Sequence, residues 1–276
     1  MQEIIKAIVL GIIQGTTEFI PISSTAHLRI IPALLGWKDI GAAYTAVMQI
    51  GTLVATLIYF KKDIINLTNA FIHSLKKRDF NTNPESRIFL LIILGTIPIG
   101  ICGLFLNKFI EGDARGLYVI SAALIILAII LFIAEKVSSK KKDFSEITVG
   151  DGIAIGFAQA LALIPGSSRS GVTITAGLFC GLKRDVAARY SFLLSIPAIG
   201  LSGFYELFKE RHELLNENLL SLLIATFVSG IVGYFSIAFL INYLKTRSNL
   251  IFIVYRIVLG IIILILLSNG ILNNLG

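Results

Sequence analysis

Residues 11–27 read G-I-I-Q-G-T-T-E-F-I-P-I-S-S-T-A-H, and residues 156–173 read G-F-A-Q-A-L-A-L-I-P-G-S-S-R-S-G-V-T. Each stretch runs an apolar pattern into a proline and then into a cluster of hydroxyl residues. The apolar pieces around them, 4–13 with 28–36 and 153–164 with 172–182, are each too short to cross a bilayer, which takes about 20 apolar residues. The economical reading is a short helix, a polar turn at membrane depth, and a second short helix that returns to the same side. Irregular backbone survives at that depth only where it lines a cavity or is buried in protein.

The rest of the chain supplies the membrane. Of 276 residues, 55% are hydrophobic and 15% charged, with a mean hydropathy of +0.85. Soluble domains carry about 25% charged residues, so this chain has too few to coat a water-facing surface. Disordered, collagen-like and disulfide-stapled classes are excluded on the same grounds. Six apolar runs are long enough to span: 40–60, 88–106, 117–135, 190–208, 219–241 and 250–268. All are expected to be helical, because lipid offers no partner to backbone amides. The N-terminal run is no signal peptide, since Glu3 and Lys6 lead into a polar segment with no small-residue cleavage site. Cys102 and Cys180 sit in apolar runs without metal-ligand spacing and read as buried small hydrophobes. The net charge of +7 comes with no basic, aromatic-laced stripe, so nucleic acid is not a partner and basic loops account for it.

The two opening stretches also reveal a repeat. An offset of 145 residues separates Gly11 from Gly156 and Gln14 from Gln159, and Tyr44 through Phe60-Lys61 is echoed by Tyr190 through Phe208-Lys209. Halves 1–142 and 147–276 then each hold one broken pair and three spans. An odd number of crossings turns the second half upside down. The expected fold is an all-α integral membrane protein of six transmembrane helices plus two re-entrant pairs, arranged as an inverted-topology repeat whose polar turns meet near mid-membrane. Loops 61–87, 136–150, 183–189 and 242–249 share one face and carry 15 Lys and Arg, against 7 on the other face. The positive-inside rule puts the first face in the cytoplasm.

The first turn offers Gln14 and Glu18, four residues apart and so on one helix face, where they could share a cation. A carboxylate at membrane depth costs about 3 kcal/mol and needs a partner. Ser23, Ser24 and Thr25 add hydroxyls, and His27 adds an imidazole; His73 and His212 read as solvated loop residues. In the second turn, Gly166 and Gly171 let successive amides face one cavity, as in anion nests. Arg169 is a five-donor fork suited to phosphate, flanked by Ser167, Ser168, Ser170 and Thr173; its alternative is a structural role, capping carbonyls or pairing with Glu18. Asp151 reads as a helix cap, and Arg256, inside the last span, as a residue that snorkels or pairs internally. Together the two turns suit phosphoryl transfer, which is mostly positioning and neutralisation of oxygen charge. A transporter with broken helices is the competing class, and a plain scaffold is disfavoured by so many polar groups at depth.

With these motifs in place, the chain resembles the undecaprenyl-pyrophosphate phosphatases, integral membrane phosphatases of the bacitracin-resistance type. Their (E/Q)xxxE and P-x-S-S-T-x-H segments match Gln14 to Glu18 and Pro21 to His27, and PGxSRSxxT matches Pro165 to Thr173. The resemblance implies hydrolysis of undecaprenyl pyrophosphate to the monophosphate carrier lipid, with Mg²⁺ or Ca²⁺, in the bacterial cytoplasmic membrane and at a site open to its outer face. The polyprenyl substrate and membrane lipids are the implied partners, and a homodimer is left open. Residue by residue, it implies Glu18 and Gln14 as metal ligands and Ser24 as nucleophile. It implies His27 as base or leaving-group acid and Arg169 as phosphate clamp, with Ser23, Thr25, Gly166, Ser168, Ser170 and Thr173 around the phosphate. Attack by Ser24 and attack by water activated at His27 both remain open. Gln14 stands where Glu is common, which removes one carboxylate. Ala26 stands where Gly is commoner, so no glycine-only angle is needed there.

Overall fold

A computed structural model describes residues 1–37, 39–78, 83–210 and 219–274. Among them the backbone forms helices α1 (Gln2–Phe19), α2 (Ser24–Leu34), α3 (Gly41–Tyr59), α4 (Lys61–Lys77), α5 (Pro84–Glu111), α6 (Leu117–Val137), α7 (Val149–Ala160), α8 (Arg169–Phe179), α9 (Arg184–Lys209), α10 (Leu219–Leu244) and α11 (Leu250–Ser268). The described residues include no strand, only an isolated bridge between Lys142 and Leu182.

Five helices, α5, α6, α9, α10 and α11, are long and apolar enough to cross a membrane. The expected span 40–60 corresponds to α3, which turns by 73° into α4 and makes a sixth crossing only if that bent pair is counted as one. Only 28–44% of each of the five spanning windows is buried. What they expose is Ile, Leu and Phe, for example Leu104, Phe105, Leu201, Phe227 and Phe235. A surface like that is stable only against lipid, so the chain is a multi-pass membrane protein.

Residues 61–77 differ from the loop expected of them. Leu67, Ala70 and Ser74 recur at helical spacing and are buried, while Lys61, Lys62, Lys76 and Lys77 face outward, so α4 is amphipathic. His73 therefore sits exposed on a helix, and His212 lies outside the described residues. The cysteines are unpaired and only half-buried.

Packing occurs in matched sets. Helix α1 lies against α10 as α7 lies against α5, and α3 meets α10 as α9 meets α5, while α3–α9 and α6–α11 pair directly. Two glycines 145 residues apart permit two of these approaches. A Cβ on Gly11 would stand 2.6 Å from the Ala225 carbonyl oxygen, and one on Gly156 would stand 2.6 Å from Cα of Gly95. Backbone cannot give way as a side chain can. Gly156→Ala should therefore cost about 1–3 kcal/mol of stability, read as a lower thermal midpoint in detergent; an unchanged midpoint would refute the contact.

Polar contacts gather at the two ends. At one, Glu135 accepts from Arg184 Nε (2.9 Å) and from Asn249 N (3.0 Å) and Nδ2 (2.8 Å), tying α6, α9 and α11 together. Arg189 pairs with Asp63 there, and Arg87 Nη2 donates to Ser145 O at 3.2 Å. Lys142 Nζ reaches Asp151 at 3.0 Å. Asp151 shares its capping role with Thr148, the actual cap: Thr148 N donates to Asp151 Oδ2 and Asp151 N to Thr148 Oγ1. Burial pushes the Asp151 carboxyl up, but Thr148 and Lys142 outweigh it and hold the group below the usual range. At the other end, Asp39 pairs with Arg29 (3.3 Å) and Arg115 (3.1 Å), Lys6 lies 5.8 Å over the Trp37 ring, and Leu117 N donates to Asn274 O.

Candidate active site

Both short-helix pairs break for the same local reason. The residue before a proline is pushed out of the α region, and Ile20 before Pro21 (ψ 131) and Ile164 before Pro165 (ψ 117) are extended. The first turn closes tightly, Ile22 N donating to Ile20 O; the second has one more residue, Ser167 N donating to Ile164 O. The extra residue is Gly166, whose φ of +92 and whose closeness to the Ile120 carbonyl leave no room for a Cβ.

Beyond the turns the two pairs converge in detail. Ser23 (φ 77, ψ 101) caps α2, its side chain accepting from Ala26 N, and Ser168 (φ 66, ψ 107) caps α8, accepting from Gly171 N. Positive φ in a non-glycine residue is strained, and such strain collects at functional sites. It falls on Ser23, whereas Ala26 is ordinary helix. The cap register makes Ser24 and Arg169 counterparts, the first residue of each short helix. The leading amides of a helix lack intrahelical partners and its N-terminus favours anions. Two such N-termini border one space.

The space is a cavity of about 490 Å³ lined by Thr17, Glu18, Ser23, Ser24 and Thr25 from the first pair and Ser167, Ser168 and Arg169 from the second. Its wall continues along α5 from Thr96 to Leu104 and along α9 from Ala198 to Glu206, away from the Lys- and Arg-rich end. Glu18 is the hub. Its Oε1 accepts from Arg169 Nη2 at 2.7 Å, and its Oε2 accepts from Gln14 Nε2 and Ser24 Oγ, each at 2.9 Å. Arg169 and Glu18, 151 residues apart in sequence, thus join the two turns by an ion pair whose side chains are 13% and 4% exposed.

A family profile described as Bacitracin resistance protein BacA matches residues 7–262. The chain belongs to the BacA family. An undecaprenyl-diphosphatase of Myxococcus xanthus is 52% identical to this BacA chain over 267 residues, 97% of the chain and 90% of the relative. Undecaprenyl-diphosphatases of Chloroherpeton thalassium and Prosthecochloris aestuarii are each 53% identical, over 97% and 96% of the chain and 98% and 97% of their own lengths.

Not every expected site residue of the BacA chain touches the cavity. Gln14, His27, Gly166, Ser170 and Thr173 stand behind its wall. Thr173 Oγ1 donates to Arg169 O (2.8 Å) and lies 2.6 Å from Ser191 Oγ, bracing the start of α8. His27 is not bonded to Ser24. Its Nδ1 lies 2.7 Å from Ser23 O and its Nε2 lies 2.7 Å from the Tyr255 hydroxyl. A carbonyl can only accept, so Nδ1 carries the proton, and in the neutral ring Nε2 accepts from Tyr255. Conversely, Thr17, Gln49 and Thr96 line the cavity without having been singled out from the sequence. For Gln49 and Thr96 the only signal is an isolated polar residue in an apolar run.

Among the described residues no three His, Cys, Asp or Glu side chains cluster as a ligand set. Because Gln14 Nε2 faces the Glu18 carboxylate, its Oε1 is left buried and without a partner. One carboxylate and one orphaned amide oxygen suit a hard cation that keeps waters and borrows phosphate oxygens.

Proposed function

We propose that Glu18, Ser24 and Arg169 form the centre at which this chain hydrolyses the phosphoanhydride of undecaprenyl diphosphate, yielding undecaprenyl phosphate and inorganic phosphate. The carrying observation is the bond from Ser24 Oγ to Glu18 Oε2 in a cavity bordered by two helix N-termini and a guanidinium. A hydroxyl beside a carboxylate is what a nucleophile needs and an anion carrier does not.

The terminal phosphate docks on Arg169 and the leading amides of α2 and α8, displacing Glu18 from the guanidinium. Ser24 Oγ attacks phosphorus, its proton passing to Glu18, as the bridging P–O bond breaks. The departing lipid phosphate has a second pKa of about 6, so it leaves without an acid catalyst. Water then cleaves the Ser24 phosphoester. Glu18 and Gln14 would hold a Mg²⁺ or Ca²⁺ that arrives with the diphosphate and neutralises its oxygens. His27 holds the first turn in shape rather than moving a proton.

The matched packing sets, the serine caps 145 residues apart and the Lys142–Leu182 bridge, which brings the end of α8 back beside the start of α7, support an inverted repeat of halves 1–142 and 147–276 with two re-entrant pairs. The bacterial relatives and the basic end support a cytoplasmic-membrane protein with that end inside. A cavity wall that runs away from that end supports access from the outer side.

Phosphate release by purified, detergent-solubilised protein from long and short prenyl diphosphates tests this reading. Release should fall at least tenfold with chelator and return with Mg²⁺ or Ca²⁺. No release under any cation would refute it, and full release in chelator would remove the metal.

A further inference from the structure

Tyr255 and Arg256, neighbours on α11, each reach a different turn of the site, and neither was assigned a part in the chemistry above. Arg256 is fully buried, and its Nη2 donates to Ser167 O (2.9 Å), Ala123 O (3.3 Å) and Gly166 O (3.5 Å). No carboxylate pairs with it among the described residues, and its Nε and Nη1 have no partner. Gly171 makes room for it, since a Cβ there would stand 2.8 Å from Nη1. Burying an unpaired guanidinium is expensive, and packing alone does not call for one where a Leu or Met would fill the space. What the cost secures is the pair of carbonyls just ahead of the strained Ser168.

Tyr255 does the corresponding job on the other side through an intermediary. Its hydroxyl meets His27 Nε2 at 2.7 Å, the rings stack with centroids 5.6 Å apart, and His27 Nδ1 holds the carbonyl of Ser23, the other strained cap. Both unfavourable backbone conformations are thus pinned at a carbonyl from one helix turn of α11. Strain of that kind persists only where the surroundings over-determine it.

We infer that Tyr255 and Arg256 are positioning residues that lock the two serine turns, and with them Ser24 and Arg169, into the geometry of the reaction. The inference rests on the proposed Ser24 chemistry for its kinetic readout but not for its spectroscopic one. Tyr255→Phe keeps the ring and its packing. It should lower kcat about tenfold, the worth of one hydrogen bond, with KM within twofold. In the side-chain ¹⁵N spectrum of His27, Nδ1 should stay protonated on Ser23 O while the Nε2 resonance moves toward that of an imidazole nitrogen with no hydrogen-bond donor. Arg256→Lys keeps the charge and loses the fork, and should lower kcat about a hundredfold, the cost of a small misplacement, again with KM little changed.

Wild-type kcat in either variant overturns the positioning role, as does an unshifted His27 Nε2 resonance in Tyr255→Phe. Should wild-type protein itself release no phosphate, the Ser24 reading fails, while the Nε2 resonance still decides whether Tyr255 holds His27.

Discussion

Ser24→Ala is expected to reduce phosphate release from undecaprenyl diphosphate by about 10⁴-fold, the scale on which removing a nucleophile acts in enzymes that use one. The change deletes one hydroxyl that borders the cavity and leaves Glu18 bonded to Gln14 and Arg169, so the fold is untouched. Acid-quenched wild-type enzyme should carry a phosphate on Ser24 that mass spectrometry locates, and the variant should carry none. Wild-type turnover in Ser24→Ala would pass the nucleophile's role to water.

Arg169→Ala has the next largest expected effect, about 10³-fold in kcat/KM, because a preorganised cation facing the transferring phosphoryl group is among the largest single contributions to such reactions. Arg169→Lys should recover little of it, since an ammonium cannot span two phosphate oxygens as the planar fork does. The loss of Arg169 also strands Glu18 without its ion partner, which lowers stability on its own account. The double variant Glu18→Gln with Arg169→Ala separates the two effects: its thermal midpoint should return toward wild type while phosphate release stays lost. Undiminished turnover in Arg169→Ala would rule out the clamp.

Hydropathy made the spans legible because lipid-facing helices need no pattern finer than length, and five of the six runs are helices of spanning length in their own right. The Ser24 and Arg169 motifs were legible because their residue types are too polar to be idle at depth. Less visible was α4, whose Leu67, Ala70 and Ser74 stripe is diluted by the lysines around it. The repeat offset of 145 slips to 144 at Pro21 and Pro165 and is restored at the caps, because Gly166 is one residue that the first turn lacks. The resemblance implies His27 as base or leaving-group acid, yet its second bond goes to Tyr255, 228 positions away. No local pattern carries a partner so distant. Nor does any pattern announce a positive φ at a serine.

The ion pair of Glu18 with Arg169 has a consequence for what happens after the reaction. If Arg169 is the proposed phosphate clamp, the resting protein already lodges a carboxylate of its own in that seat, so incoming and outgoing anions alike compete with a tethered rival that never diffuses away. Such a rival weakens capture of the diphosphate, but it also evicts the freed phosphate. On the proposed cycle, that eviction is the step that clears the site for the next carrier lipid.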